Sequence, residues 1–452
     1  MKSCVSILNG LVKKGIKYDL ENIRALLEIN SVAKYDFIPV LVAGTNGKGS
    51  VATFLSLLLG ASGFRTGLYT SPHALTPLER IKINGGDIPY SDFKKLLFRI
   101  DAAVSVRNRA GSLLFPTYYE VLTALAALYF KEKKAAYAVF EIGMGGRLDS
   151  TNIFRQPLAV ITGVSLDHTD ILGKTLKKIA REKAGIIKAD SVTISGETKK
   201  VAASVIKEAA DKKNARLLQF GLDFDYRQAK NGIIIDTGKN KYTACQAGMA
   251  GLAGLPEYQK KNFTLAVMAA ETLLGARLSD AALSLALKRF FIPLRMQVVS
   301  DSPVIIMDGA HNPEAVRALA SEIKRFGIKK IKIKIFFTAM KDKDVNKMLS
   351  ALGAVTENIC IFGTSLARGL DGAYLKKSGI SYPFYENFGK LFSGEFKSLS
   401  PDELVIICGS IYGGGEALKY FLRHRGKYRS LFSPFFSSYL EKMAKSAGGE
   451  LL

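Results

Sequence analysis

Four stretches of this sequence carry residue types and spacings that could do chemistry. Gly44-Thr-Asn-Gly-Lys-Gly-Ser50 follows the apolar run Ile38–Ala43 and opens a helical run. Glycines let a backbone fold tightly round an anion, a helix N-terminus adds positive potential, and Lys48 adds a full charge suited to terminal phosphates. The Ser or Thr that usually follows such a lysine is absent. Gly49 stands there, so a metal-side hydroxyl has to come from elsewhere. Glu141 closes the apolar run Tyr137–Phe140, and the carboxyl ends of strands are where open α/β sheets bind ligands. His168 lies between Asp167 and Asp170; taken alone, it reads equally as a polar residue closing a strand–loop junction. Lys183 lies beside Arg181 and Glu182 in a helical run, where a lysine is ordinarily a solvated charge.

These residues need strands to end on and helices to start from. Ile38–Ala43, Thr66–Tyr69, Tyr137–Ile142 and Leu158–Val164 are short, rich in Val, Ile or aromatics, and bounded by Gly or polar residues, which predicts buried strands. Lys48–Leu59, Ser91–Val106, Thr117–Phe130 and Thr175–Lys188 carry the helical period. Strand and helix alternate, the βαβ signature of a parallel, doubly wound sheet. The pattern restarts after Pro293, with strands expected at Val304–Met307, Ile331–Phe337, Ile359–Phe362 and Leu404–Cys408. The expected fold is α/β with two domains. Residues 1–294 form a parallel-sheet ATPase domain with a phosphate loop, and residues 295–452 a smaller Rossmann-like domain.

The chain has 452 residues and a formal charge of +24, with 48% hydrophobic residues. That excludes wholesale disorder and implies anionic partners: nucleic acid, an anionic membrane or acidic small molecules. Cys4, Cys245, Cys360 and Cys408 show no C-x-x-C spacing, so neither a zinc site nor a disulfide framework is indicated, and a reducing cytoplasm fits. Val121–Phe130 is too short to span a membrane, and Met1–Val12 reads as an amphipathic helix. Ile328-Lys-Lys-Ile-Lys-Ile-Lys-Ile335 alternates, giving one buried and one basic face. That face could attract nucleic acid, take up an acidic tail or simply be solvated. No recognition motif for nucleic acid accompanies it.

Gly44–Ser50 resembles the ATP loop of the Mur ligase superfamily, in its folylpolyglutamate synthase/dihydrofolate synthase branch. Further segments resemble that branch in the same order: Thr70-Ser-Pro-His73 with Glu79-Arg80-Ile81, Glu141 through Asn152, Leu166 through Gly173, Arg181 through Gly185, Asp308-Gly-Ala-His-Asn-Pro313, Met340-Lys-Asp-Lys-Asp344 and Cys408-Gly-Ser-Ile-Tyr412. The resemblance spans roughly residues 15–425.

The resemblance implies an ATP-dependent ligase that joins L-glutamate to a folate or dihydropteroate carboxylate through an acyl phosphate. It implies nucleotide contacts from Asn46, Gly47, Lys48, Gly49, Ser50, Asn262, Arg295 and Asp308, with ATP in a cleft between the two domains. Asn262 could instead be a helix N-cap before an apolar run. Magnesium would be held by Ser71, Glu141 and His168, while His73 would hold the loop after Ser71. Lys48, Lys183 and His311 would act in catalysis, Lys183 as a CO₂-derived carbamate. Ile16, Tyr18, Thr117, Tyr118, Tyr119, Glu120, Leu148, Asp149 and Ser150 align with pterin-binding segments, and Ser410 belongs to the last motif. Tyr118 and Tyr119 could equally be core. One departure stands out: Leu294 replaces the glycine of the family's Pro-Gly-Arg motif, in Pro293-Leu-Arg295. Small-molecule substrates, no nucleic acid, no membrane and a monomer are expected. The rival readings are a sibling Mur-type ligase with another acceptor and a nucleic-acid-binding ATPase, the latter requiring polynucleotide-stimulated ATP hydrolysis.

Overall fold

The computed structural model describes residues 3–13, 15, 19–111, 114–229, 232–244, 252, 255–328 and 332–446. Two compact units divide the chain: Met1–His73 with Pro77–Phe290, and Ala74–Thr76 with Phe291–Glu450.

The first unit is built on eight strands: β1 (Ile38–Ala43), β2 (Thr66–Tyr69), β3 (Ile81–Ile83), β4 (Gly86–Asp87), β5 (Tyr137–Glu141), β6 (Leu158–Ile161), β7 (Val192–Ser195) and β8 (Arg216–Gln219). Their order is β4-β3-β2-β5-β1-β6-β7-β8. From β2 to β8 the pairs are parallel, while β3 and β4 add an antiparallel edge. Alternation explains why β1 is apolar throughout. Leu41 and Ala43 face one core, Val40 and Val42 the other, so a strand covered on both faces has no polar side. After β1 the chain moves to one side of the sheet, and after β5 it crosses to the other. The carboxyl ends of β5, β1 and β6 therefore flank a topological switch point, where such sheets bind ligands. The helix Lys48–Ala61 behind this edge is apolar on nearly every side and almost wholly buried.

Several boundaries are shorter than the sequence suggests. β5 stops at Glu141 and β6 at Ile161, because the chain turns there to form loops at the edge. The helix after Thr175 ends at Ala184, where Gly185 packs so closely on Arg147 that a Cβ would lie 2.5 Å from its side chain. A three-stranded antiparallel sheet follows: β9 (Asp225–Ala229), β10 (Gly232–Asp236) and β11 (Lys241–Ala244). Two helices, Glu257–Leu274 and Asp280–Arg289, then pack on the helix Lys48–Ala61.

The second unit carries β12 (Gln297–Asp301), β13 (Val304–Asp308), β14 (Ile333–Phe337), β15 (Ile359–Phe362), β16 (Phe384–Tyr385) and β17 (Leu404–Cys408), ordered β12-β13-β17-β14-β15-β16. Only the β12–β13 pair is antiparallel. The alternating lysine strand is corrected here. Residues 329–331 lie outside the described residues, and Lys334 is buried and paired with Glu395 at 2.7 Å. The helix Pro434–Ser446 follows, and its Phe436 and Leu440 join the unit's core. No helix among the described residues is long and apolar enough to cross a membrane.

Candidate active site

The phosphate loop leaves β1 at Ala43, where β1 pairs with β5 on one side and β6 on the other. Its glycines answer specific crowding. A Cβ on Gly44 would fall 1.9 Å from Thr162 Oγ1, and one on Gly47, at φ +84°, would fall 2.5 Å from Asn262 Oδ1. Thr162 Oγ1 donates to the Asn46 carbonyl at 2.6 Å. The Thr45 hydroxyl donates to the Ser165 carbonyl at 3.3 Å and accepts from its N–H at 2.9 Å. Lys48 begins the helix and folds its Nζ back to the Thr45 carbonyl at 3.2 Å. Ser50 is buried and accepts from Gln259 Nε2 at 3.1 Å. Asn262 lies in the second turn of Glu257–Leu274, whose N-cap is Pro256, so the N-cap alternative is set aside.

Gly49 has an evident reason. A Cβ there would meet Glu141 Oε2 at 3.2 Å. The carboxylate thus occupies the space beside the position where other phosphate loops keep a hydroxyl. Glu141 Oε2 also accepts from the Ser71 N–H at 2.9 Å. The strand order β2-β5-β1-β6 therefore sets the Ser71 loop, Glu141, the phosphate loop and the Asp167–His168 loop side by side. His168 is exposed, at φ +49°, and its N–H donates to Asp167 Oδ1 at 2.9 Å. Among the described residues no group of three or more His, Cys, Asp and Glu forms a metal cluster. One buried carboxylate next to a phosphate cradle nevertheless fits magnesium, which keeps waters and uses phosphate oxygens as ligands.

Lys183 is not a solvated cation. It is 3% exposed, and its Nζ donates to the Gly44 carbonyl at 2.8 Å. Burial, reinforced by repulsion from Lys48 and only partly offset by Asp167, lowers its pKa to about 7.

The segments aligned with pterin contacts divide by the work they show. Ile16 and Tyr18 lie outside the described residues. Thr117 and Glu120 form a capping box: the Glu120 N–H donates to Thr117 Oγ1 at 3.3 Å, and the Thr117 N–H to Glu120 Oε2 at 2.6 Å. Asp149 is buried and accepts from the N–H groups of Thr151 and Met144 and from Thr151 Oγ1, which shapes the loop after β5. Burial raises its pKa against those hydrogen bonds. Ser150 is buried and Leu148 half-buried in the same loop. The Tyr119 hydroxyl reaches the Glu141 carbonyl at 3.2 Å and Asp149 Oδ1 at 3.4 Å. Tyr118 lies under the Arg80 guanidinium, 5.4 Å from its ring centre, and Arg80 Nε donates to His73 Nδ1 at 2.9 Å. His73 thereby braces the loop after Ser71.

In the second unit, Leu294 adopts φ +60°, the left-handed region that a glycine at this position would favour. Its carbonyl accepts from the Gly309 N–H at 2.7 Å and from Arg295 Nη1 at 3.4 Å. Its side chain is 1% exposed and fills the space over Gly414, where a Cβ would lie 2.7 Å from Leu294 Cδ1. Asp308, at the end of β13, accepts from the N–H groups of Met296 and Ala310 at 2.9 and 2.8 Å. Burial raises its pKa, and Arg295 opposes the shift. His311 Nδ1 donates to the Gly309 carbonyl at 2.9 Å, which fixes the tautomer when the ring is neutral. Ser410 caps the helix Ile411–Arg423 by accepting from the Gly413 N–H at 3.3 Å.

Sequence reasoning missed Thr45, Thr162 and Gln259, which support the loop. Gln259 had a signal, since it precedes Asn262 by three residues and shares its helix face. The two threonines had none, because their partners are set by strand pairing.

Comparison with known proteins gives a consistent result. The Mur ligase middle domain matches residues 42–270, and the Mur ligase glutamate ligase domain matches residues 294–411. The dihydrofolate synthase/folylpolyglutamate synthase of Bacillus subtilis is 31% identical over 434 residues, covering 90% of this chain and 96% of that protein. The structure of Escherichia coli FolC in complex with DHPP and ADP aligns with a TM-score of 0.81 at 28% identity, over 93% of this chain and 97% of that one. A bifunctional folylpolyglutamate synthase/dihydrofolate synthase with Mn, AMPPNP and L-glutamate bound aligns with a TM-score of 0.80 at 29% identity, over 92% and 97%.

Proposed function

This chain belongs to the folylpolyglutamate synthase/dihydrofolate synthase family of Mur ligases and is an ATP-dependent glutamate ligase, and within that activity we propose the following roles for its residues. The observation that carries the assignment is the alignment of Gly44–Ser50, Glu141 and Lys183 along the carboxyl edge of β5, β1 and β6.

The reaction joins a folate-type carboxylate to the amine of L-glutamate. The carboxylate oxygen attacks the γ-phosphorus of ATP, the bond to the bridging oxygen breaks, and ADP leaves an acyl phosphate. The glutamate amine then attacks the acyl carbon, phosphate departs, and the amine gives up a proton. Two anions must meet, so the site has to supply positive charge and in-line placement. Lys48 and the N–H groups opening its helix hold the terminal phosphates, with Asn46, Gly47, Gly49, Ser50 and Asn262 shaping the cradle. Ser71, Glu141 and His168 hold the magnesium, which when bound neutralises charge on the phosphoryl oxygens. Arg295 and Asp308 are further nucleotide contacts in this reading. His311 helps place phosphate or glutamate, and Ser410 contacts substrate. Tyr118, Tyr119, Leu148, Asp149 and Ser150 border the folate subsite in this reading; Ile16 and Tyr18, assigned to it from the sequence, lie outside the described residues.

Lys183 takes up CO₂ in this reading. Its neutral amine attacks the carbon of CO₂, an N–C bond forms, and one proton goes to solvent, leaving a carbamate. A pKa of about 7 leaves a large fraction of the amine neutral at physiological pH. The carbamate reverses the repulsion with Lys48 into attraction. We further place the enzyme in the cytoplasm as a monomer. Buried, free Cys4, Cys360 and Cys408 accord with a reducing compartment.

The test is direct. Protein incubated with ATP, Mg²⁺, L-glutamate and either dihydropteroate or tetrahydrofolate should yield product heavier by one glutamyl residue, with one ADP per bond. ATP hydrolysis without glutamylated product, or hydrolysis driven by polynucleotide, overturns the assignment.

A further inference from the structure

Gln259, Asn262 and Ser50 are buried to 3%, 7% and 4% exposure, in a chain of directional hydrogen bonds behind the phosphate loop. Gln259 and Asn262 lie one turn apart on the helix Glu257–Leu274, which packs along Lys48–Ala61. Phe54 and Phe263 meet edge to face at 5.1 Å, and Phe54 stacks on Phe290 at 3.7 Å. A rigid helix wall rather than a loop therefore presents both amides.

The hydrogen bonds run in one direction through these three side chains. Asn262 Oδ1 is pressed towards Gly47, and Asn262 Nδ2 donates to Gln259 Oε1 at 3.0 Å. A carboxamide accepts at one end and donates at the other. Gln259 Oε1 is engaged in this way, and its Nε2 faces Ser50 Oγ, to which it donates at 3.1 Å. A serine hydroxyl has one proton. Its oxygen accepts here, and among the described residues nothing accepts its proton.

We propose that Gln259 is a positioning residue for nucleotide binding: it holds the Ser50 hydroxyl as an acceptor, so that the single Ser50 proton is turned to a phosphate oxygen of the nucleotide. The inference rests on the nucleotide-site reading above and deepens it. It also explains how a loop with glycine directly after its lysine still offers an oriented hydroxyl. The hydroxyl comes one residue later and is aimed by a second helix.

A double-mutant cycle read by ADP affinity in titration calorimetry tests this. Ser50→Ala and Gln259→Met should each weaken ADP binding about 3- to 10-fold, the range of a single hydrogen bond. The double variant should bind no more than about twofold worse than the weaker single variant, because both remove the same contact. KM for ATP should rise in parallel, and KM for glutamate should stay put. A Gln259 that only packs two helices would lower the melting temperature and leave this pattern absent. ADP affinity in Gln259→Met equal to that of the parent protein overturns the proposal, as does a double variant whose loss is the product of the two single losses. If Gln259→Met gives no cooperative melt, Gln259→Glu replaces it in the same cycle, since its carboxylate still accepts from Asn262 and no longer donates to Ser50. A parent protein that itself binds no ADP fails at the earlier step, bringing down the nucleotide-site reading and the proposal with it.

Discussion

Lys183 Nζ donates to the Gly44 carbonyl at 2.8 Å, tying a buried amine to the first residue of the phosphate loop. The contact joins the loop after β1 to the helix Leu176–Ala184 and puts a second cationic group beside Lys48. Two like charges in a buried place are unfavourable, and two outcomes relieve the conflict: loss of the proton, or conversion of the amine to an anion.

The first outcome has a stability signature. In CO₂-free buffer the folded-state pKa of Lys183 is about 7, below the 10.5 of an ordinary lysine. Between those values the unfolded chain binds more protons than the folded one, so stability rises with pH there. The penalty is full below about pH 7 and fades as pH climbs towards 10.5. The melting temperature of the parent protein should therefore gain on that of Lys183→Met between pH 7 and 9.5. Parallel profiles would show that the amine is not held in this way.

The second outcome has an activity signature. Removing CO₂ should lower turnover, and bicarbonate should restore it. Lys183→Ala should be nearly inactive, with partial recovery on adding a short carboxylic acid that fills the vacated anion position. Full activity in Lys183→Ala would exclude a carbamate role.

Lys48→Ala should leave the fold intact, because the described contact of its ammonium is one carbonyl, Thr45 O. Ligation should fall on the order of 10²–10³-fold, the usual effect of losing one group that stabilises developing charge. A folded variant with near-normal turnover would remove Lys48 from the phosphate site.

Glu141→Gln keeps an acceptor for the Ser71 N–H and loses the charge. His168 is exposed, so His168→Ala costs little packing. Both should raise the Mg²⁺ concentration needed for half-maximal rate while melting close to the parent protein. Unchanged Mg²⁺ dependence in both would place the metal elsewhere.

What could be read in advance was what depends on neighbours in sequence. β1, the phosphate loop and the start of its helix follow from one contiguous stretch, Ile38 to Ser50, and the expected and observed bounds of β1 coincide. Burial depends on partners far along the chain. Lys183 sits among charged residues in sequence, yet the packing of its helix buries it 139 residues away from its partner Gly44. Lys334 looked like part of a basic face for the same reason, and is buried by its pairing with Glu395. β7 and β8 were missed because Val192-Thr-Ile-Ser195 and Arg216-Leu-Leu-Gln219 are short and half polar. Thr117 illustrates a third kind of ambiguity: Thr117-Tyr-Tyr-Glu120 ahead of an apolar run has the capping-box spacing and also aligns with a ligand-binding segment, and the structure shows the box formed.

Leu294 carries the last prediction. Its backbone is left-handed at φ +60°, a conformation that costs a residue with a Cβ about 1–2 kcal/mol, while its side chain is buried over Gly414. Leu294→Ala loses the packing and keeps the strain, so it should destabilise by about 2–5 kcal/mol, the range for a buried leucine. Leu294→Gly loses the same packing and sheds the strain. It should be at least as stable as Leu294→Ala, reversing the usual ranking in which glycine is worse. Denaturant unfolding of the two variants decides it. Because the Leu294 carbonyl holds both the Gly309 N–H and Arg295 Nη1, the alanine variant should also raise KM for ATP more than the glycine variant does, provided Arg295 contacts the nucleotide. A glycine variant clearly less stable than the alanine variant would show that the left-handed backbone costs alanine less than the extra chain entropy glycine loses on folding.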